Sequence, residues 1–169
     1  MARPPAVDLT TRLGSVVLDN PVMTASGTAG HGHELADHLD PAALGAVVVK
    51  SLHAEPCDGN PAPRVHATPA GMVNSMGLQG PGVEAWLERD LPPLLATGAR
   101  VVASIWGRTV EEFARAAELL AGAPSEVVAV EEKEEDGGEI AVVKSVILNG
   151  RRELFRSEGF LKLLKAAKK

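Results

Sequence analysis

The sequence predicts an α/β protein built on a parallel sheet, and three observations carry that expectation. Short, mostly apolar runs recur at residues 21–24, 46–49, 100–105 and 126–130. Segments with helical spacing of apolar positions separate them, at 34–44, 83–95 and 109–121. Apart from Pro21 at the start of the first run, prolines and glycines lie outside the strands. Uninterrupted apolar strands alternating with amphipathic helices are what a parallel sheet with right-handed crossovers requires, because both of its faces are covered.

Each element has a local reason. Residues 13–18 and 21–24 are apolar runs parted by Asp19-Asn20, a turn-favouring pair, so a hairpin or two short strands is predicted. The next helix, 34–44, sets Leu35, His38, Leu39 and Ala42 on one side. Ala46-Val47-Val48-Val49 then reads as a strand buried on both faces. Residues 54–82 contain five prolines and five glycines, which predicts a long irregular loop of the kind that carries function. Pro81-Gly82-Val83-Glu84 opens a helix toward Leu91, where Pro92-Pro93 must kink or restart it toward Leu95. Thr109, with Glu112 three residues on, marks the start of the helix 109–121. The predicted order is β, α, β, loop, α, β, α, β.

Composition changes after this unit. The chain of 169 residues carries a net charge of −5, but residues 1–130 hold 8 basic and 14 acidic side chains, 131–138 hold 1 and 5, and 139–169 hold 8 and 3. Three parts are therefore expected: 1–131, an acidic linker at 132–138, and a basic tail at 139–169. In the tail, Asn149-Gly150 signals a hairpin and 158–169 a short helix able to cover an open sheet edge. Its lysines read as a solvated helix face, so no nucleic-acid partner is expected. An apolar fraction of 45% with 23% charged residues fits a globular protein, and no apolar run reaches the ~20 residues of a membrane span. A single cysteine, Cys57, and no secretory pattern predict a cytoplasmic protein without an internal disulfide.

On α/β folds the chemistry sits just past the C-terminal ends of strands. There the sequence places Ala25-Ser26-Gly27-Thr28, small residues that let a flat ligand approach the backbone, and Lys50-Ser51, a cation after a strand too apolar to hold it inside. The long loop adds Gly59-Asn60-Pro61-Ala62-Pro63-Arg64 and Gly71-Met72-Val73-Asn74-Ser75-Met76-Gly77-Leu78-Gln79. Asn74 offers a donor and an acceptor, as the amide edge of a pyrimidine-dione requires, and the backbone around Gly77 suits a carboxylate. His31, His33, His38, His53 and His66 include a His-x-His pair but no third ligand at metal spacing, so they read as solvated loop residues and no metal is expected. Trp86 and Trp106 read as helix–sheet packing.

Taken in order, Asn20-Pro21, Ala25-Ser26-Gly27, Lys50, Gly59 to Arg64 and Asn74 to Leu78 resemble the class 1 dihydroorotate dehydrogenases over residues 13–131. The resemblance implies half of a (β/α)8 barrel with an N-terminal hairpin, FMN as cofactor, and oxidation of dihydroorotate to orotate in pyrimidine biosynthesis. By position, Ser26, Lys50, Ser51 and Ser104 resemble flavin contacts. Lys50, Asn74, Ser75, Met76, Gly77 and Leu78 resemble contacts to dihydroorotate or orotate. Ser104 stands where many members carry a flavin-contacting Asn.

The pattern breaks after Glu131. Where the family's Asn and catalytic Cys are expected, this chain has Lys133 and Asp136 in an acidic run, so no catalytic base is assigned, and Cys57 reads as an incidental loop thiol. Nothing beyond Glu131 resembles the loops that hold a flavin phosphate. Two functions follow as expectations: an incomplete dihydroorotate dehydrogenase, as a homodimer or with a completing subunit, or a non-catalytic half-barrel module for interaction or assembly.

Overall fold

A computed structural model describes residues 7–14 and 16–133. The tail hairpin at Asn149-Gly150, the helix 158–169, Asp136 and most of the acidic run lie outside the described residues.

The centre is a three-stranded parallel sheet in the order β3 (Val47–Val48), β6 (Val101–Trp106), β7 (Val127–Lys133). The predicted parallel arrangement of these strands is therefore present. The expected strand at 21–24 is reduced to one parallel bridge, Met23 to Ala46. Its shortness has a cause in the next residue. The Thr24 hydroxyl accepts from the Val48 N–H at 2.8 Å and donates to the Val48 carbonyl at 3.0 Å, taking the place of ladder bonds.

The two sheet faces have different covers. Val47, Val49, Val101, Ala103 and Ile105 pack on helical residues Trp86, Leu91, Leu94, Phe113, Ala116 and Leu120. Ala46, Val48 and Val102 pack instead on Val16 and Leu18. Those two come from an antiparallel hairpin, β1 (Thr11–Leu13) with β2 (Val16–Leu18). The hairpin turn is thus not at Asp19-Asn20, as expected, but between Leu13 and Val16, where Gly14 supplies φ +60°. Asn20 instead turns the chain out of the hairpin: its side chain accepts from the Val22 N–H and donates to the Ala43 carbonyl, each at 3.0 Å.

Two further expectations are corrected. Residues 34–44 form no α-helix but two 3-10 turns, Glu34–Asp37 and Pro41–Ala43. Pro41 lacks the N–H a continuous helix needs and holds Asp40 extended, where the Asp40 carboxylate caps the second turn through the Ala42 N–H. The loop 54–82 is not wholly irregular, since β4 (Val65–Thr68) and β5 (Gly71–Asn74) form an exposed antiparallel hairpin. At the double proline the helix is interrupted by an irregular turn, in line with the expected kink or restart. It runs from α1 (Val83–Ala85) through a π-turn (Trp86–Asp90) into α2 (Leu91–Leu95). Pro92 and Pro93 have no N–H for the carbonyls a turn below, and the wider turn, with Leu91 N–H bonded to Trp86 O, absorbs the mismatch. The last helix among the described residues, α3 (Val110–Leu120), starts as expected at Thr109, whose hydroxyl accepts from the Glu112 N–H at 3.3 Å. Glu112 reaches back to the Arg108 N–H at 2.5 Å, so both ends of the cap are satisfied.

Candidate functional site

Above the apolar floor that faces the β1–β2 hairpin, the same sheet face turns polar. From the pair Val48–Val102 to the pair Leu52–Ile105, one strand advances four residues and the other three. That extra residue is a bulge at Lys50-Ser51, which re-aims both side chains at the strand's C-terminal end. Ser51 consequently meets Ser104, their hydroxyls 2.9 Å apart and both side chains buried. The pair holds two O–H groups and one mutual hydrogen bond. One O–H is therefore left over within the pair, and Ser51, 4% exposed, is the member nearer the surface.

Lys50 is half-buried. Its N–H bonds the Gly30 carbonyl and its ammonium donates to the Gln79 carbonyl, each at 2.7 Å. Gln79 follows Leu78, so Lys50 is tied to the end of the loop segment predicted to contact substrate. Beside it lies a cavity of 440 Å3 walled by His31, Cys57, Gln79, Pro81 and Arg89. Ser26 sits half-buried in the turn after Met23, and a Cβ added at neighbouring Gly27 would meet nothing within 4 Å. The turn thus leaves room above it for a flat group.

Asn74 ends β5, and residues 75–78 form a loop held from one side by the Gly59 to Arg64 segment. The Ser75 N–H donates to the Arg64 carbonyl at 2.8 Å, and the Asn60 N–H donates to the Met76 carbonyl at 3.1 Å. Gly77 and Leu78 both have positive φ, +72° and +53°. Asn74, Ser75 and Met76 are exposed, although the Ser75 N–H and the Met76 carbonyl are already engaged by the Gly59 to Arg64 segment.

Several residues near the site were misread or passed over in the sequence. His31 is not a solvated loop residue: burial, aided by the Lys50 charge, pushes its pKa below the ordinary value, and its Nε2 is buried without a partner. Its carbonyl accepts from the Trp86 indole N–H at 2.6 Å. His53 likewise packs on the Trp106 ring, 4.7 Å between centroids, with Glu112 3.5 Å away. Trp86 is a core residue, as expected. Thr24 and Gln79 carried no signal, because the one acts by replacing backbone bonds and the other through its carbonyl. Cys57 sits in a backbone bridge to Gly80. Among the described residues, no three His, Cys, Asp or Glu side chains converge as a metal site.

Residues 8–131 match the family described as dihydroorotate dehydrogenase. The chain belongs to the dihydroorotate dehydrogenase family. It is 49% identical over 114 residues to the catalytic subunit of dihydroorotate dehydrogenase B (NAD(+)) from Thermoanaerobacter pseudethanolicus, covering 68% of this chain and 38% of that protein. The corresponding subunit from Desulforudis audaxviator is 51% identical over 112 residues, with 66% and 36% covered. That from Geotalea uraniireducens is 44% identical over 113 residues, with 67% and 37% covered. The chain thus spans well under half the length of these curated relatives, and the similarity ends within β7, the last described strand.

Proposed function

We propose that this chain is the opening part of a cytoplasmic dihydroorotate dehydrogenase that uses FMN to oxidise dihydroorotate to orotate. Its sheet would then be the first half of a (β/α)8 barrel, and the polar rung above the hairpin its mouth. The observation that carries this reading is the convergence of Lys50, the buried Ser51–Ser104 pair and the braced segment 74–78 at the C-terminal end of one parallel sheet. No helix among the described residues is long and apolar enough to cross a membrane.

The residues present fit the ring of a flavin. The spare hydroxyl donor of Ser51–Ser104 suits a ring carbonyl or nitrogen, and the turn at Ser26-Gly27 is open enough to admit a planar group. Bound FMN would supply the two-electron acceptor. Lys50, at the strand end, would favour the negative charge that develops on that acceptor and would hold the substrate carboxylate close to it. Asn74 would pair with the ring amide edge, and Ser75 to Leu78 would close over the ring. No residue of this chain is assigned as catalytic base, since the two family positions that matter fall at Lys133, the end of β7, and at Asp136.

The relatives' name, a catalytic subunit linked to NAD(+), supports a second subunit or a second copy as partner and NAD(+) as the final acceptor. The test is an FMN titration of the purified chain followed by dihydroorotate. Weak flavin binding with little turnover is expected from this chain alone. A flavin spectrum bleached at the rate of a full enzyme would show that residues 132–169 replace the missing base and phosphate loops. Absence of both flavin and orotate binding would leave the non-catalytic half-barrel module as the better reading.

A further inference from the structure

The Gly59 to Arg64 segment touches the predicted ligand loop at more points than an exposed turn needs for its own stability. Asn60 spends both amide protons on one residue, donating to the Ser75 carbonyl at 3.1 Å and to the Ser75 hydroxyl at 2.8 Å. Its backbone N–H holds the next carbonyl, Met76, at 3.1 Å. Its side chain lies against the third residue, Gly77, where an added Cβ would stand 2.6 Å from Asn60 N and 2.8 Å from Asn60 Cγ. Gly59 makes the same close approach from the other side, since a Cβ there would fall 2.3 Å from the Met76 carbonyl. One asparagine therefore governs three consecutive residues.

Stability alone does not account for this arrangement. Asn60, Ser75 and Met76 are exposed, and a hydrogen bond that exchanges freely with water adds little to folding. The loop also adopts a costly shape. Leu78, with φ +53°, is the one non-glycine residue among those described in the left-handed region, and such residues persist where surrounding contacts over-determine the backbone. The contacts made by Asn60 lie immediately before that residue. Beyond it, Gln79 presents its carbonyl to the Lys50 ammonium.

We propose that Asn60 is a positioning residue whose side-chain amide, through its two bonds to Ser75, sets the backbone leading into Met76 and Gly77 for a small planar carboxylate such as orotate. The inference rests on the reading of residues 74–78 as the ligand-contacting segment. Asn60 does not touch the ligand in this account. It acts through the loop, and its removal leaves every contacting side chain in the chain but not in place.

Two variants of the full chain test it. Asn60→Asp keeps the size but replaces the two donors with an oxygen that repels the Ser75 carbonyl, and Asn60→Ala removes the side chain without adding repulsion. For each, amide hydrogen exchange is followed at Asn60 and Ser75 and in β6, and orotate is titrated well below the unfolding temperature. Exchange at the two loop amides should quicken about tenfold, and orotate affinity should fall about tenfold, while β6 exchanges as in the parent chain. Unchanged exchange in Asn60→Ala overturns the proposal. So does faster loop exchange with unaltered orotate affinity. If the parent chain binds no orotate, the ligand reading fails, and with it the positioning role; the exchange data then still decide whether Asn60 sets the loop.

Discussion

The buried pair Ser51–Ser104 permits a quantitative test. Ser104 is 0% and Ser51 4% exposed, and their 2.9 Å hydrogen bond joins β6 to the bulge after β3. Removing one hydroxyl leaves the other without its partner in a site closed to water. Each of Ser51→Ala and Ser104→Ala should therefore cost about 1–3 kcal/mol. Independent effects would sum to about 2–6 kcal/mol in the double variant. Here both polar atoms vanish together, so the double variant should lose no more than either single one. For a domain of this size a kcal/mol corresponds to about 4 °C in melting temperature, well within reach of a thermal scan. The assay is a double-mutant cycle by urea unfolding, with FMN titrated against the same four proteins. Stability losses that add to within about 0.5 kcal/mol would refute the coupling. FMN affinity unchanged in Ser51→Ala would refute the assignment of the pair to the flavin edge.

Three further outcomes are expected. Lys50→Ala should reduce orotate affinity about tenfold while shifting the melting temperature by no more than about 2 °C, because the half-buried ammonium bonds a carbonyl at the loop end; unchanged orotate binding by calorimetry would remove Lys50 from the site. Trp86→Phe should cost about 1–3 kcal/mol in urea unfolding and Trp86→Ala about 3–5 kcal/mol, since the fully buried indole both fills the core and donates to the His31 carbonyl. Stability should also depend on pH through His31. Its folded-state pKa lies below the ordinary 6.5 because burial disfavours the cation, so the unfolded chain binds the proton first as pH falls. The His31 contribution is complete above about pH 6.5 and is lost as pH drops toward the folded-state value. Urea unfolding between pH 5 and 8 should show this fall, and His31→Gln should flatten it.

The sequence by itself determined the parallel sheet, the α3 cap and the family. Runs such as Ala46 to Val49 and Val101 to Ala103 are apolar at every position, which only a strand covered on both faces tolerates, and Thr109 with Glu112 is a signal complete within four residues. The positions of Lys50 and Ser51 at a strand end were legible for the same reason, since polarity following an apolar run marks where a strand leaves the core. Tertiary structure alone decided the rest. That Ser51 meets Ser104 depends on a bulge, a mismatch in count between strands that no single segment encodes. That Asn60 holds Ser75 depends on chain folding back across fifteen residues, and the β4–β5 hairpin within that span forms through pairing rather than local propensity. The half-buried position of His31 is fixed in part by Trp86, which lies fifty-five residues away and donates to its carbonyl. Periodicity records which face of an element meets the core, but a contact between distant segments is set by packing, and packing becomes defined only when the elements share one interior.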